Sequence, residues 1–206
     1  MVREIRIYAE GGGDRADTKT LLRKGFNKFL EPLIDIARSK GISWRFIPCG
    51  SRREAFDDFT VAVRTYDDAF VALLVDSEAA VAKSPKAHLE SRPDEKVILP
   101  DLPDDHFHLM VQSMETWIVA DIDILKDFYK HNFASLPKTQ DIEQVDRHQL
   151  ENQLKLATRL TQKGEYQKIR HAAKLLELLR PSVVRQRCRH CDRFFVVVAE
   201  KMGSTV

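Results

Sequence analysis

Only three cysteines occur in 206 residues. An odd number, scattered over a chain of this size, builds no disulfide framework, so a reducing cytoplasm is the expected home. Long apolar runs are equally scarce. No stretch approaches the roughly 20 residues that span a bilayer. The opening MVREIRIYAE has no apolar segment behind a basic start, which argues against export or membrane insertion. Charge of one sign is missing too. Lys and Arg number 33 against 31 Asp and Glu, a net of +2, which by itself names no partner. There is no internal repeat and no low-complexity tract. The glycine run Gly11-Gly12-Gly13 is not followed by Gly-Lys-Ser/Thr and fails the dinucleotide spacing, so NTP or NAD binding by this loop is not expected.

What is present suffices for one core. Hydrophobic residues make up 43% and charged residues 31%, the balance of an ordinary globular chain, and the length suits one domain with an appendage. Charge is unevenly placed. Glu151 to Val206 carries 12 Lys and Arg against 5 Asp and Glu, whereas residues 1–150 carry 21 against 26. An acidic front suited to cations and a basic tail suited to phosphates is what a metal-dependent enzyme acting on polyanions needs.

Along the chain, strands and helices alternate. Ile5 to Tyr8 reads as a strand with Glu10 at its carboxyl end, broken by the glycines. Asp17 or Thr18 is placed to cap one helix carrying Leu22, Phe26, Phe29, Leu30, Leu33 and Ile36/Ala37, stopped by Gly41. Trp44 to Pro48 is a second strand, and Ser51 caps a helix whose Ala55, Phe56, Phe59 and Val63 share a face. Phe70 to Val75 is a continuous apolar run, the mark of a strand buried on both faces, and it ends in Asp76-Ser77-Glu78. Four prolines between Ala79 and Asp105, at 85, 93, 100 and 103, predict a mobile surface loop. A strand over Phe107 to Gln112 and a helix over Met114 to Tyr129 follow. Helices marked by Leu150, Leu154, Ala157 and Leu160, then by Ile169, Ala172/Ala173, Leu176 and Leu179, close the chain. The expected architecture is α/β: a Rossmannoid parallel sheet flanked by helices over residues 1–135, with a helical basic extension over 136–206 packing on it. In such sheets ligands bind beyond the carboxyl ends of the strands, where Glu10, Asp76 and Glu78 fall.

Side chains repeat every two residues along a strand, so Asp76 and Glu78 can face the same way and offer oxygens to one hard cation, Mg²⁺ or Mn²⁺. A neighbouring parallel strand, about 4.8 Å away, puts Glu10 within reach. A strand ending in Ile7-Tyr8-Ala9-Glu10-Gly11 followed by a buried strand ending in Leu74-Val75-Asp76-Ser77-Glu78 resembles the Toprim domain of topoisomerases, primases and overcoming-lysogenization-defect nucleases. More narrowly, Ile7 to Asp14, Val75 to Glu78, His108 to Gln112, Met114 to Trp117 and Lys163 to Tyr166 resemble a bacterial family of small Toprim-like proteins. The likeness runs roughly from Arg3 to Leu179 by eye. It implies a Toprim-like fold, acids that bind Mg²⁺ for phosphodiester chemistry on DNA or tRNA, and genes often set beside an ABC- or SMC-type ATPase in phage-defence neighbourhoods. One departure stands out: Toprim domains usually carry Asp-x-Asp, and here the second acid is Glu78.

On this reading Glu10, Asp76 and Glu78 are metal ligands and catalytic, Glu10 doubling as a general base. Lys163 and Lys168 supply positive charge to the transition state. Gly11, Gly12, Arg170 and His171 lie along the substrate. Glu115 either completes a second metal site or complements its helix dipole. A non-catalytic subunit that docks an ATPase or nucleic acid is the alternative function. Asp121 and Asp123, two apart on a helix, point away from each other and read as surface charges. Cys188-Arg189-His190-Cys191 is half a zinc signature within a basic segment from Arg185 to Arg193. His106 and His108 alternate about Phe107 as a ligand pair would. Tyr166 and Trp117 read as base-stacking or core aromatics.

Overall fold

The computed structural model describes residues 2–92, 98–137 and 139–206. Four strands, β1 (Glu4–Glu10), β2 (Ser43–Gly50), β3 (Ala69–Asp76) and β4 (Phe107–Met110), form one sheet in the order β2-β1-β3-β4. Every pairing is parallel. Parallel neighbours need crossovers, supplied here by helices α1 (Ala16–Phe29) and α2 (Glu31–Ser39) between β1 and β2, and α3 (Arg52–Thr65) between β2 and β3. This is an α/β, Rossmann-like fold. Because β2 lies on one side of β1 and β3 on the other, the connections diverge between β1 and β3, and the crevice beyond their carboxyl ends is where such sheets take ligands.

The sheet is covered on both faces. Ile5, Ile7 and Ala9 of β1 with Phe70, Ala72 and Leu74 of β3 face one core, and Tyr8 with Val71, Leu73 and Val75 face the other. The second core is closed by Ala55, Phe56 and Phe59 of α3 and by Val81, Leu89 and Leu99. The first is larger. It gathers α1 and α2 with α5 (Met114–Ala120), α6 (Ile122–Tyr129), α7 (Arg147–Thr158), α8 (Arg170–Leu176), α9 (Pro181–Arg187) and α10 (Arg189–Lys201); the remaining helix, α4, spans Pro85–Glu90. Phe29 packs against Trp117 and Phe195, each with centroids 5.7 Å away, so the C-terminal helices share one continuous core with the sheet.

Several elements depart from the sequence expectations. The single helix expected through Leu33 is two helices hinged at Leu30 (φ −91, ψ 11), because Pro32 supplies no N–H to continue the first ladder and its ring clashes with the carbonyl one turn back. Arg15, not Asp17 or Thr18, takes the N-cap position of α1; the Thr18 hydroxyl instead donates to the carbonyls of Gly12 and Arg15. Ser51 does cap α3, in a reciprocal capping box with Glu54. The expected loop from Ala79 to Asp105 contains α4 and a 3₁₀ turn at Asp104–His106, and it buries Val81, Leu89 and Leu99. Pro93 lies outside the described residues. The helix expected from Met114 to Tyr129 breaks at Asp121, the shared cap position of α5 and α6.

Asp121 is no surface charge. It is fully enclosed and accepts from Arg180 Nε at 2.9 Å and from the Arg180 backbone N–H at 3.0 Å; Asp123 is exposed. Cys188 and Cys191 are buried in the core, burial pushes both thiols up from their ordinary range, and His190 turns to Glu143 at 2.8 Å. The half zinc signature is thus helix packing. Arg193 of the basic segment turns to the Phe107 carbonyl and Asp104, and Arg189, although exposed, reaches the Val81 carbonyl. His106 bonds the Val71 carbonyl while His108 is buried beside Arg193 and Phe194, so the two do not form a pair.

Candidate functional site

Glu10 ends β1 and Asp76 ends β3, one strand apart, and the folded chain joins them directly. The Asp76 backbone N–H donates to Glu10 Oε2 at 3.2 Å. The same oxygen accepts from Arg52 Nε at 3.0 Å. Arg52 is the first residue of α3 and is almost fully buried; a terminal nitrogen of its guanidinium donates to the Asp76 carbonyl at 2.6 Å. The Asp76 carboxylate accepts the Met114 backbone N–H at 2.9 Å, at the start of α5. One residue on, Glu115 is 1% exposed and receives the Tyr166 hydroxyl at 3.1 Å. Lys168 stands 3.9 Å from its other oxygen. Tyr166 is itself locked, its backbone N–H on Thr158 Oγ1 at 2.8 Å.

Glu10, Asp76 and Glu115 therefore lie along one hydrogen-bonded path, through the Asp76 N–H on one side and the Met114 N–H on the other. Burial first, then the nearby charges of Glu10 and Glu115, push the Asp76 carboxyl well above the ordinary carboxylate range, with Lys168 and Arg52 working the other way. Glu115 thus belongs to the buried site and not to a solvated helix start. Tyr166 contributes its hydroxyl to that site and Trp117 is core.

Glu78 behaves differently. The period-two alternation that would align it with Asp76 needs extended backbone, and β3 ends at Asp76. Glu78 has φ +59, in the left-handed region, and its carboxylate turns to arginines: Arg147 Nη1 at 2.8 Å, Arg52 at 3.4 Å, and Arg92. Burial opposes its charge, but these three guanidiniums outweigh burial and hold the Glu78 carboxyl below its usual value. Arg92 also bonds the Ser77 carbonyl at 2.8 Å, as does His88 at 3.0 Å. Motif spacing does not single out these arginines. A usable signal exists: Arg52 and Arg147 are each the first residue of a helix, where positive charge opposes the dipole unless an anion repays it.

The glycine run follows Glu10 directly. Gly11 and Gly50 exchange backbone hydrogen bonds at 2.8 and 3.0 Å with φ of +116 and +101, and a Cβ on Gly50 would stand 2.9 Å from the Gly13 carbonyl, so only glycine fits this crossing. Gly13 approaches Ile169, which puts the glycines beside the segment that carries Lys168. The other predicted basic residues gather elsewhere. Lys163 Nζ lies 4.6 Å from the Phe128 ring centroid, and His171 Nδ1 lies 2.8 Å from the Tyr129 hydroxyl. Burial, then Lys163 and Arg170, lower the His171 pKa. Lys163, Arg170 and His171 thus form a group around Phe128 and Tyr129, distinct from the acids that Lys168 faces.

The donor set suits a hard cation. It is all carboxylate oxygen, and the Asp76 charge is disfavoured without a counter-charge. Among the described residues no three His, Cys, Asp or Glu side chains form a ready-made cage. Mg²⁺ does not require one, since it is commonly held by one or two carboxylates, waters and substrate phosphates. Glu10 and Asp76, joined at the strand ends, with Glu115 next to the Met114 N–H that Asp76 accepts, are the carboxylates such an ion would have to use.

A parallel α/β domain with buried acids at its switch point is the class these features define. The chain belongs to the family described as Domain of unknown function (DUF4276), whose match spans residues 9–199. No curated protein and no solved structure matches it. Among the described residues, no helix is long and apolar enough to cross a membrane.

Proposed function

We propose that the protein is a Mg²⁺-dependent phosphodiester hydrolase of Toprim type, a nuclease acting on DNA or tRNA as the effector of a phage-defence module with an ABC- or SMC-type ATPase partner. The observation that carries the reading is the buried Asp76 at the switch point of the sheet, its backbone N–H on Glu10 and its carboxylate on the Met114 N–H beside the buried Glu115. Evolution of a buried, mutually repelling acid group costs stability, and such groups concentrate at functional sites. Nuclease chemistry and the ATPase partner come from the Toprim resemblance of the strand ends.

Glu10, Asp76 and Glu115 would hold the cation, which supplies Lewis-acid polarisation of a phosphoryl oxygen and a lowered pKa for its water. The chain's own groups divide the remaining work. Glu10, fixed by Arg52 and the Asp76 N–H, takes the proton from the attacking water. The water oxygen bonds to phosphorus as the bond to the leaving ribose oxygen breaks, and the proton held by Glu10 passes through solvent to that oxygen, leaving a phosphomonoester and a hydroxyl. Lys168, beside Glu115, offsets negative charge growing on the phosphoryl oxygens. Tyr166 fixes Glu115 through its hydroxyl.

The test is incubation of the purified protein, alone and with its ATPase, with DNA and with tRNA in Mg²⁺ or Mn²⁺. Cleavage is expected with the wild type and is expected to vanish in the Glu10→Gln, Asp76→Asn double variant. Cleavage at the same rate by that variant would overturn the reading.

A further inference from the structure

Three guanidiniums from three separate elements meet at the rim of the acid site. Arg52 begins α3, Arg92 follows α4 and Arg147 begins α7. They meet on one carboxylate, Glu78. A carboxylate and a phosphate present the same face to a guanidinium, two oxygens that accept parallel N–H bonds. The cluster is also tied to the reacting end of the site, because Arg52 bonds both Glu10 and the Asp76 carbonyl. An anion held by Arg92 and Arg147 therefore lies one guanidinium away from the acids. Glu78 reaches this position only by adopting a left-handed backbone, φ +59, which an L-residue with a long side chain seldom takes without a compensating contact. That contact is the arginines.

We propose that Arg92 and Arg147 form the phosphate-binding subsite of this centre, and that Glu78 occupies it as an intramolecular stand-in which the substrate phosphate displaces. The inference rests on the phosphodiester reading for its ligand class, and it gives Glu78 a role other than that of a permanent metal ligand. It also predicts a protein whose affinity for phosphate is restrained by its own side chain.

The test is titration calorimetry in EDTA, with inorganic phosphate in one arm and a single-stranded oligonucleotide lacking terminal phosphates in the other. Glu78→Gln removes the competing charge at nearly constant size, and Glu78→Gly suits the left-handed backbone should Gln impair folding. Either variant, shown folded by a cooperative melt, is expected to bind at least one probe about tenfold more tightly than wild type, the change that follows from losing a charged competitor. A gain with inorganic phosphate marks a free or terminal phosphate as the ligand, and a gain confined to the oligonucleotide marks the backbone. Adding Arg147→Ala to the Glu78 variant should return affinity to the wild-type level. Unchanged affinity in folded Glu78 variants, or a gain that survives Arg147→Ala, overturns the proposal. Because no metal is present and no cleavage is read, an inert protein that still shows the gain would count against hydrolysis and leave this subsite standing.

Discussion

At the scale of single residues, Asp76 and Asp121 show how the same side chain is handled in opposite ways. Asp76 is buried among other acids and its charge is disfavoured; Asp121 is enclosed but bonded by the backbone and side chain of Arg180. Replacing Asp76 by Asn keeps an acceptor for the Met114 N–H and removes the charge. In EDTA at pH 8 this should stabilise the protein by about 1 kcal/mol, raising Tm by roughly 2–4 °C. Millimolar Mg²⁺ is expected to raise the wild-type Tm and to leave that of the variant unchanged, both read by a thermal melt. Asp121 carries the reverse sign. Burial opposes its charge, but the bonds from Arg180 outweigh burial and lower its folded pKa. Its contribution is therefore present above the unfolded value of about 3.9 and is lost as pH falls through the lower folded value. Asp121→Asn should cost on the order of 1–2 kcal/mol at pH 7, and the gap to wild type in urea melts should close as pH falls below about 4. A gap that stayed constant with pH would show that the charge contributes nothing. Asp76 was legible as a site residue because an apolar run stopped on it. Asp121 was not, because its partner lies 59 residues away in the chain and no local pattern announces a long-range ion pair.

Among elements, the contact between α1 and α8 sets how the segment bearing Lys168 sits against the glycine run. Gly25 of α1 is buried, and a Cβ there would stand 2.6 Å from the Ala173 carbonyl and 3.1 Å from Leu176 Cβ. Alanine improves helix propensity by about 1 kcal/mol, whereas overlap with a fixed backbone carbonyl costs typically 1–3 kcal/mol or more. Gly25→Ala is therefore expected to lower Tm by several degrees, and a rise in Tm would show that α8 can retreat freely. Tyr166→Phe tests the neighbouring loop. It leaves Glu115 buried with one hydrogen bond fewer, a loss of about 1–3 kcal/mol, and should weaken Mg²⁺ binding measured by calorimetry while the aromatic packing is kept. Element order was readable from periodicity, since the β3 run and the α3 capping box are local features. Element ends were less so. The hinge at Leu30 follows from Pro32, a residue visible in the sequence, but the apolar spacing ran through it and concealed the break. The turn of Glu78 into left-handed backbone left no mark in composition, because Glu carries no such preference.

For the whole molecule, the question is whether residues 136–206 are an appendage or part of the domain. Their basic character suggests a surface for polyanions, yet the helices they form bury Leu150, Leu154, Leu175, Leu176, Phe194, Phe195 and Val198 in the same core as Ile5, Ile7, Phe26 and Trp117. Arg147, which reaches Glu78, and Tyr166 and Lys168, which reach Glu115, also come from this part of the chain. Removing it would expose one face of the sheet, and burial of a large apolar side chain is worth roughly 1.5–3 kcal/mol. Loss of the seven named side chains alone, about 10–21 kcal/mol, would then match or outweigh the roughly 5–15 kcal/mol by which domains are ordinarily stable. A fragment of residues 1–135 is accordingly expected to show no cooperative thermal transition and no dispersed amide spectrum by NMR, while the full chain unfolds in a single step. A fragment that melted cooperatively would establish a self-sufficient sheet and return the C-terminal helices to the status of an attachment. In that case the acids at the strand ends would bind Mg²⁺ without Tyr166 and Lys168. The same calorimetry on the fragment measures how much of the site those two residues supply.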